Sequence, residues 1–127
     1  MTQEKKKVLL VEDDEITARI LKRVLDKLGY EVVHFTSAHK GYHHFLADPQ
    51  GYEIILSDNN TEGPIAGVEF LMFVHRDRAT RGQRFYLMSG DSHHNGQPLK
   101  PWVEHHGATF LEKPRDLSSS VLRQKGF

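Results

Sequence analysis

The stretch Ile54-Ile55-Leu56-Ser57-Asp58 runs three bulky apolar residues into one acid, and turn-prone Asn59 and Asn60 follow. A short apolar run without polar alternation is the pattern of a strand buried on both faces. Such a strand delivers the Asp58 carboxylate to an edge of the sheet. The same pattern recurs along the chain. Val8-Leu9-Leu10-Val11 runs into Glu12-Asp13-Asp14-Glu15, and Phe85-Tyr86-Leu87-Met88 runs into Ser89-Gly90-Asp91. Glu31-Val32-Val33-His34-Phe35 makes a second strand, and Thr109-Phe110-Leu111, ending at Glu112-Lys113-Pro114, makes a fifth.

Helical periodicities separate these runs. Ile16, Ile20, Leu21, Val24, Leu25 and Leu28 recur at three- and four-residue spacing, with Asp13 or Asp14 as N-cap and Gly29 as the left-handed residue beyond the end. Ser37 can cap a second helix bearing Ala38, Tyr42, Phe45 and Leu46, which stops before Pro49 and Gly51. A Gly- and Pro-rich loop from Asn59 to Gly67 leads to a third helix, with Val68, Leu71, Met72 and His75 on one face and Phe70 and Val74 beside it. The stretch up to Gly107 is the least regular, and Pro98 and Pro101 limit any helix there. A last short helix, with Leu117, Val121 and Leu122 inward, fits between Asp116 and Arg123.

Five alternations of strand and helix predict an α/β domain: a three-layer, doubly wound, five-stranded parallel sheet with right-handed crossovers. The expected strand order is 2-1-3-4-5, because the acid-bearing strands 1 and 3 should be neighbours. Length and composition agree. The chain has 127 residues, 38% apolar and 27% charged, enough for one domain over residues 1–127 with its own core. The formal net charge is zero, against broad binding of nucleic acid or an anionic membrane. There is no cysteine, so disulfides, thiol catalysis and Cys-based metal sites are excluded. Met1-Thr2-Gln3-Glu4 is too polar for a secretory signal, and no apolar run approaches the ~20 residues of a membrane span. A cytoplasmic location is the expectation.

In open α/β sheets, sites form at the carboxyl ends of the strands. Those ends carry Glu12 and Asp13, Asp58, Ser89 and Lys113. Three converging carboxylates must raise a pKa or recruit a cation. An oxygen-only ligand set suits Mg2+, which keeps waters and shares a phosphate oxygen. A lysine ammonium and a hydroxyl opposite the acids suit the other oxygens of a phosphoryl group, and Asp is a nucleophile in phosphoryl transfer. Asp14 and Glu15 read as capping and solvation, with Asp14 a reserve ligand.

On these residues the chain resembles the receiver domain of two-component response regulators, a flavodoxin-like fold. The resemblance rests on the acid pair after Val8-Leu9-Leu10-Val11, Asp58 after Ile54-Ile55-Leu56, Ser89 after Tyr86-Leu87-Met88, and Lys113-Pro114, and it covers essentially the whole chain. It implies that Asp58 accepts a phosphoryl group from a phosphohistidine on a partner histidine kinase or phosphotransfer protein. It implies that Asp13 holds Mg2+ directly and Glu12 through water, with Asp58 and the backbone carbonyl of Asn60 as further ligands. Ser89 and Lys113 would contact the phosphoryl oxygens, Phe110 would be the aromatic switch, and Lys113-Pro114 would be cis. No effector domain fits after Phe110, so output would pass through contact with a downstream protein, and the domain would not be an enzyme in the usual sense.

The sequence departs from the family pattern in three places. Thr61-Glu62-Gly63-Pro64-Ile65-Ala66-Gly67 replaces Met-Pro and a Gly, with about one extra residue; Gly90 stands where Ala is common; and Ser92 to His106 holds two prolines and four histidines. The alternatives are a pseudo-receiver that is not phosphorylated and a Mg2+-dependent phosphohydrolase. Against the latter, no second Asp lies two residues after Asp58. His39 and His43 have metal-ligand spacing on a helix, but no acid accompanies them, and an exposed polar face is the plainer reading. Trp102 reads as packing. Asp91, flanking the site with Asn60, is placed to position a hydrolytic water.

Overall fold

The computed structural model describes residues 5–76 and 83–127. The polar stretch Met1–Glu4 lies outside them. Strand β1 (Lys6–Val11) leads to helix α1 (Glu15–Lys27), β2 (Tyr30–Phe35) to α2 (Ala38–Ala47), and a 3-10 turn (Pro49–Gly51) to β3 (Ile54–Asp58). Helix α3 (Gly67–Arg76) precedes β4 (Arg84–Ser89). A two-stranded ribbon, β5 (His93–His94) and β6 (Gln97–Pro98), runs into α4 (Leu99–His105). Strand β7 (Thr109–Glu112) and α5 (Ser119–Gln124) complete the chain.

The five long strands form one parallel sheet in the order β2-β1-β3-β4-β7, the doubly wound order expected from the acid-bearing strand ends. The strands lack polar alternation because both faces are covered. Leu9, Val11, Ile55, Phe85 and Leu87 pack with residues of α2, α3 and α4. The intervening Val8, Leu10, Ile54, Leu56, Tyr86 and Met88 pack with Leu21 and Leu25 of α1 and Leu122 of α5. Phe127 closes this second layer with its ring 4.4 Å from that of Tyr86. Among the described residues no helix is long and apolar enough to cross a membrane.

The caps follow the sequence. Asp14 accepts from the Thr17 amide and hydroxyl, Ser37 from the Lys40 amide, and Gly29 has φ +93° beyond α1. Helix faces follow it less closely. Helix α1 buries Ala18, Leu21 and Leu25, whereas Ile16 and Ile20 are 69% and 53% exposed. The apolar residues of α1 make two stripes, and only the one on the sheet is covered. Leu46 of α2 and His75 of α3 also point outward, and α5 starts at Ser119 rather than near Asp116. There Asp116 accepts instead from the Glu112 amide, and Ser118 caps the helix.

Gly67 is a point of close backbone approach. A Cβ there would lie 2.5 Å from the Asp58 carbonyl oxygen, 2.6 Å from Leu87 Cδ1 and 2.9 Å from Asn59 Cα. Two of these are backbone atoms that cannot swing aside. Gly67→Ala is expected to cost about 2–3 kcal/mol, the upper range for overpacking, as read by urea unfolding.

Candidate functional site

Register and pleat bring the acids together. The β1–β3 ladder pairs Leu10 with Leu56 and Val11 with Ser57, so the next step sets Glu12 beside Asp58. Strand alternation turns both to the face of Val8, Leu10, Ile54 and Leu56. Glu12 is wholly buried, Asp58 is 5% exposed, and Asp13 lies at the open rim. Carboxylate oxygens of Glu12, Asp13 and Asp58 lie within 4.8 Å of one another. Among the described residues this is the only such grouping of three or more His or acidic side chains. Asp14, the reserve candidate, is committed to its cap, and the Thr17 hydroxyl and amide hold its carboxyl below the ordinary range.

Lys113 enters from the far side of β4. Its amide donates to the Ser89 carbonyl at 2.9 Å, which continues the β4–β7 ladder by one residue. Its Nζ lies 3.1 and 2.8 Å from the two Glu12 oxygens and 3.3 Å from Asp58 Oδ2. The Lys113-Pro114 bond is cis, as the resemblance implied. Burial first, then the Glu12 charge, pushes the Asp58 carboxyl up to about 6, against the pull of Lys113 and the Asn60 amide. For Lys113, burial pulls the ammonium down, but the Glu12 hydrogen bond and the Asp58 and Glu12 charges outweigh it and raise it. Three carboxylates against one ammonium leave a formal charge of about −2 in a site offering only oxygen ligands, which fits a hard divalent cation.

The remaining predicted residues surround this centre. Ser89 is buried, and its hydroxyl accepts from the Asp91 amide at 3.0 Å. Asn60 gives its backbone N–H to Asp58, and its side chain reaches Asp91 Oδ2 at 3.5 Å. Phe110 is half-buried against the α3–α4 layer and lines a 240 Å³ cavity with Asp91, Lys100, Glu112 and Arg115. The longer loop after Asp58 is docked rather than loose. Thr61 accepts the Ala38 amide at 3.2 Å, and Glu62 accepts the Thr36 hydroxyl at 2.8 Å. His39 and His43 are exposed with ring centroids 4.6 Å apart, and no third ligand joins them among the described residues. Trp102 packs against the α3–α4 core and stacks on His106 at 4.1 Å.

Two residues escaped sequence reasoning. Asn59, 1% exposed, accepts the Val68 amide on Oδ1 at 3.1 Å, and its Nδ2 meets His94 Nδ1 at 3.1 Å. His94 reaches it from the β5–β6 ribbon, which pairs His93 with Pro98 and His94 with Gln97. The ribbon did carry a signal. Asn95 and Gly96 have φ 50° and 80°, and Asn-Gly is the strongest short-range mark of a two-residue hairpin.

A family model for the response regulator receiver domain matches residues 8–123. The chain belongs to this family. Receiver domains are signalling domains. The response regulator receiver protein CpdR of Brucella abortus (strain 2308) is 36% identical over 53 residues. The matched segment spans 42% of this chain and 42% of that protein. Among solved structures, a CheY-like receiver domain protein of Methanospirillum hungatei JF-1 is 23% identical with a TM-score of 0.77, covering 96% of this chain and 90% of that one. The chemotaxis protein CheY4 of Vibrio cholerae is 20% identical with a TM-score of 0.75, covering 96% and 98%. These two likenesses carry the flavodoxin-like receiver fold.

Proposed function

We propose that this receiver domain accepts a phosphoryl group on Asp58 in a Mg2+-dependent reaction, and that another protein reads its phosphorylation state. The carrying observation is the grouping of buried Glu12 and Asp58 with Asp13 at the rim and Lys113 across them. Asp58 is the nucleophile. Asp13, Asp58 and the Asn60 carbonyl would hold Mg2+, with Glu12 acting through water. Bound Mg2+ supplies positive charge to the phosphoryl oxygens. Lys113 pairs with one of those oxygens. Ser89 gives up the Asp91 amide and turns its hydroxyl to another, and Phe110 moves inward into the space Ser89 leaves.

The donor is a phosphohistidine on a sensor histidine kinase or phosphotransfer protein, in the cytoplasm. Receiver domains act with such partners. Helix α1 begins directly after Glu12 and Asp13, and its exposed Ile16 and Ile20 offer a protein donor an apolar contact beside the site. The test is incubation with a small phosphodonor and Mg2+, followed by intact-mass measurement. One phosphoryl group is expected, dependent on Mg2+. Absence of the gain would leave the unphosphorylated interaction module.

Hydrolysis of the aspartyl-phosphate needs a placed water, and Asp91 stands across Asn60 from Asp58. Asp91→Ala is expected to lengthen the phosphoryl lifetime by roughly threefold to tenfold, below the ~10²-fold of a full general base because Asp91 only orients the water. Loss of the phosphoryl mass after donor removal measures it. An unchanged lifetime would count against that role.

A further inference from the structure

We propose that His94 is a positioning residue of the Asp58 site, acting through Asn59. This rests on the reading of Asp58 as phosphoacceptor. The polar groups of Asn59 are all committed. Its amide donates to the Met88 carbonyl at 2.9 Å, and its carbonyl accepts from the Gly67 amide at 2.9 Å. Its side-chain oxygen accepts from the Val68 amide, in the first turn of α3. The side-chain nitrogen must therefore face His94, and the imidazole Nδ1 must be the acceptor. The ring proton of His94 then sits on Nε2, 3.4 Å from Asn95 Nδ2, so the exposed Asn95 amide must turn its oxygen to the ring to accept that proton.

One residue thus links four parts of the molecule: by its backbone the end of β3 and the adjoining β4, and by its side chain the start of α3 and the β5–β6 ribbon. Asn59 lies between the phosphoacceptor Asp58 and Asn60, whose amide bonds Asp58 and whose carbonyl is assigned to the metal. Loss of the imidazole acceptor would strand a buried amide donor one residue from Asp58. The Asn59 side chain would turn to find a partner, and the Asn60 peptide would turn with it. The ribbon that departs from the family pattern therefore braces the turn at Asn59, just before the loop that also departs from it.

Wild type, His94→Ala and His94→Asn are compared, the Asn side-chain oxygen standing near the position of Nδ1. Three quantities are measured: the imidazole 15N shifts of His94, the apparent Mg2+ affinity without donor, and the phosphorylation rate with a small phosphodonor. The wild type is expected to show an unprotonated Nδ1. His94→Ala is expected to weaken Mg2+ binding and slow phosphorylation by roughly threefold to tenfold, the scale of one buried hydrogen bond. His94→Asn is expected to restore both to within about twofold. A merely structural role would lower unfolding stability and leave both quantities unchanged. A protonated Nδ1, a His94→Ala protein with wild-type affinity and rate, or a His94→Asn protein as impaired as His94→Ala would each overturn the inference. A wild type that neither binds Mg2+ nor takes up phosphoryl would overturn the functional reading and this inference together. A working wild type with an unaffected variant overturns this inference alone.

Discussion

In Mg2+-free buffer near neutral pH, the Asp58→Asn protein is expected to unfold at a higher temperature than the wild type, while taking up no phosphoryl group. Both effects have one cause. Burial and the Glu12 charge raise the Asp58 carboxyl from 3.8 to about 6 in the folded protein. The native state therefore binds a proton more tightly than the unfolded chain does. Its contribution to stability is complete below 3.8, falls as the pH rises through about 6, and stays lost above that. A shift of about two units corresponds to ~3 kcal/mol withheld at neutral pH. Asparagine carries no charge at any pH and escapes this cost, so the melting temperature should rise by roughly 10 °C. Below the unfolded value the advantage should vanish, because Asp58 is then neutral in both states. A melting-temperature difference independent of pH would contradict the account. The same substitution removes the nucleophile, so the phosphoryl mass gain should disappear. Its persistence would move the modification to another residue. A group that destabilises its own fold is expected at a functional site.

The fold was legible because its strands are buried on both faces. Val8–Val11, Ile54–Leu56 and Phe85–Met88 have no polar alternation, which only a covered parallel sheet tolerates. The order followed from chemistry, since Glu12 and Asp58 meet only if β1 and β3 are neighbours. Glu12, Asp13, Asp58 and Lys113 were legible as strand-end residues, and the structure gathers the three carboxylates within 4.8 Å of one another with Lys113 paired to Glu12 and Asp58. What the sequence hid depends on distance along the chain. Ile16 and Ile20 share the helical spacing of Leu21 and Leu25, and spacing alone cannot say which stripe meets the sheet. The Asn59–His94 bond joins residues thirty-five apart, so no local period marks it. The anchoring of the Thr61–Gly67 loop on Thr36 and Ala38 was hidden for the same reason.

Replacing Lys113 by Met should give the largest loss. Lys113 Nζ is the only cation within 4 Å of Glu12 or Asp58 among the described residues, and Glu12 has no exposed surface. Removing one partner of a buried ion pair leaves the other charge uncompensated, at a cost of about 3–5 kcal/mol. With the ammonium gone, the Asp58 carboxyl should rise further, since Lys113 is what pulls it down. The loss should therefore be greatest near neutral pH and smaller on acidification, when the carboxylates take up protons. Mg2+ should restore part of it, because a divalent cation among Glu12, Asp13 and Asp58 replaces the missing charge and binds only the folded state. Urea unfolding of Lys113→Met with and without Mg2+ reads both effects, and a variant as stable as wild type in Mg2+-free buffer would overturn the assignment. The double substitution separates charge from packing. Asp58→Asn should stabilise the Lys113→Met protein more than it stabilises the wild type, because it removes a carboxylate that no longer has a counter-charge. Equal gains in the two backgrounds would mean that Lys113 holds the site by its methylene packing rather than by its ammonium.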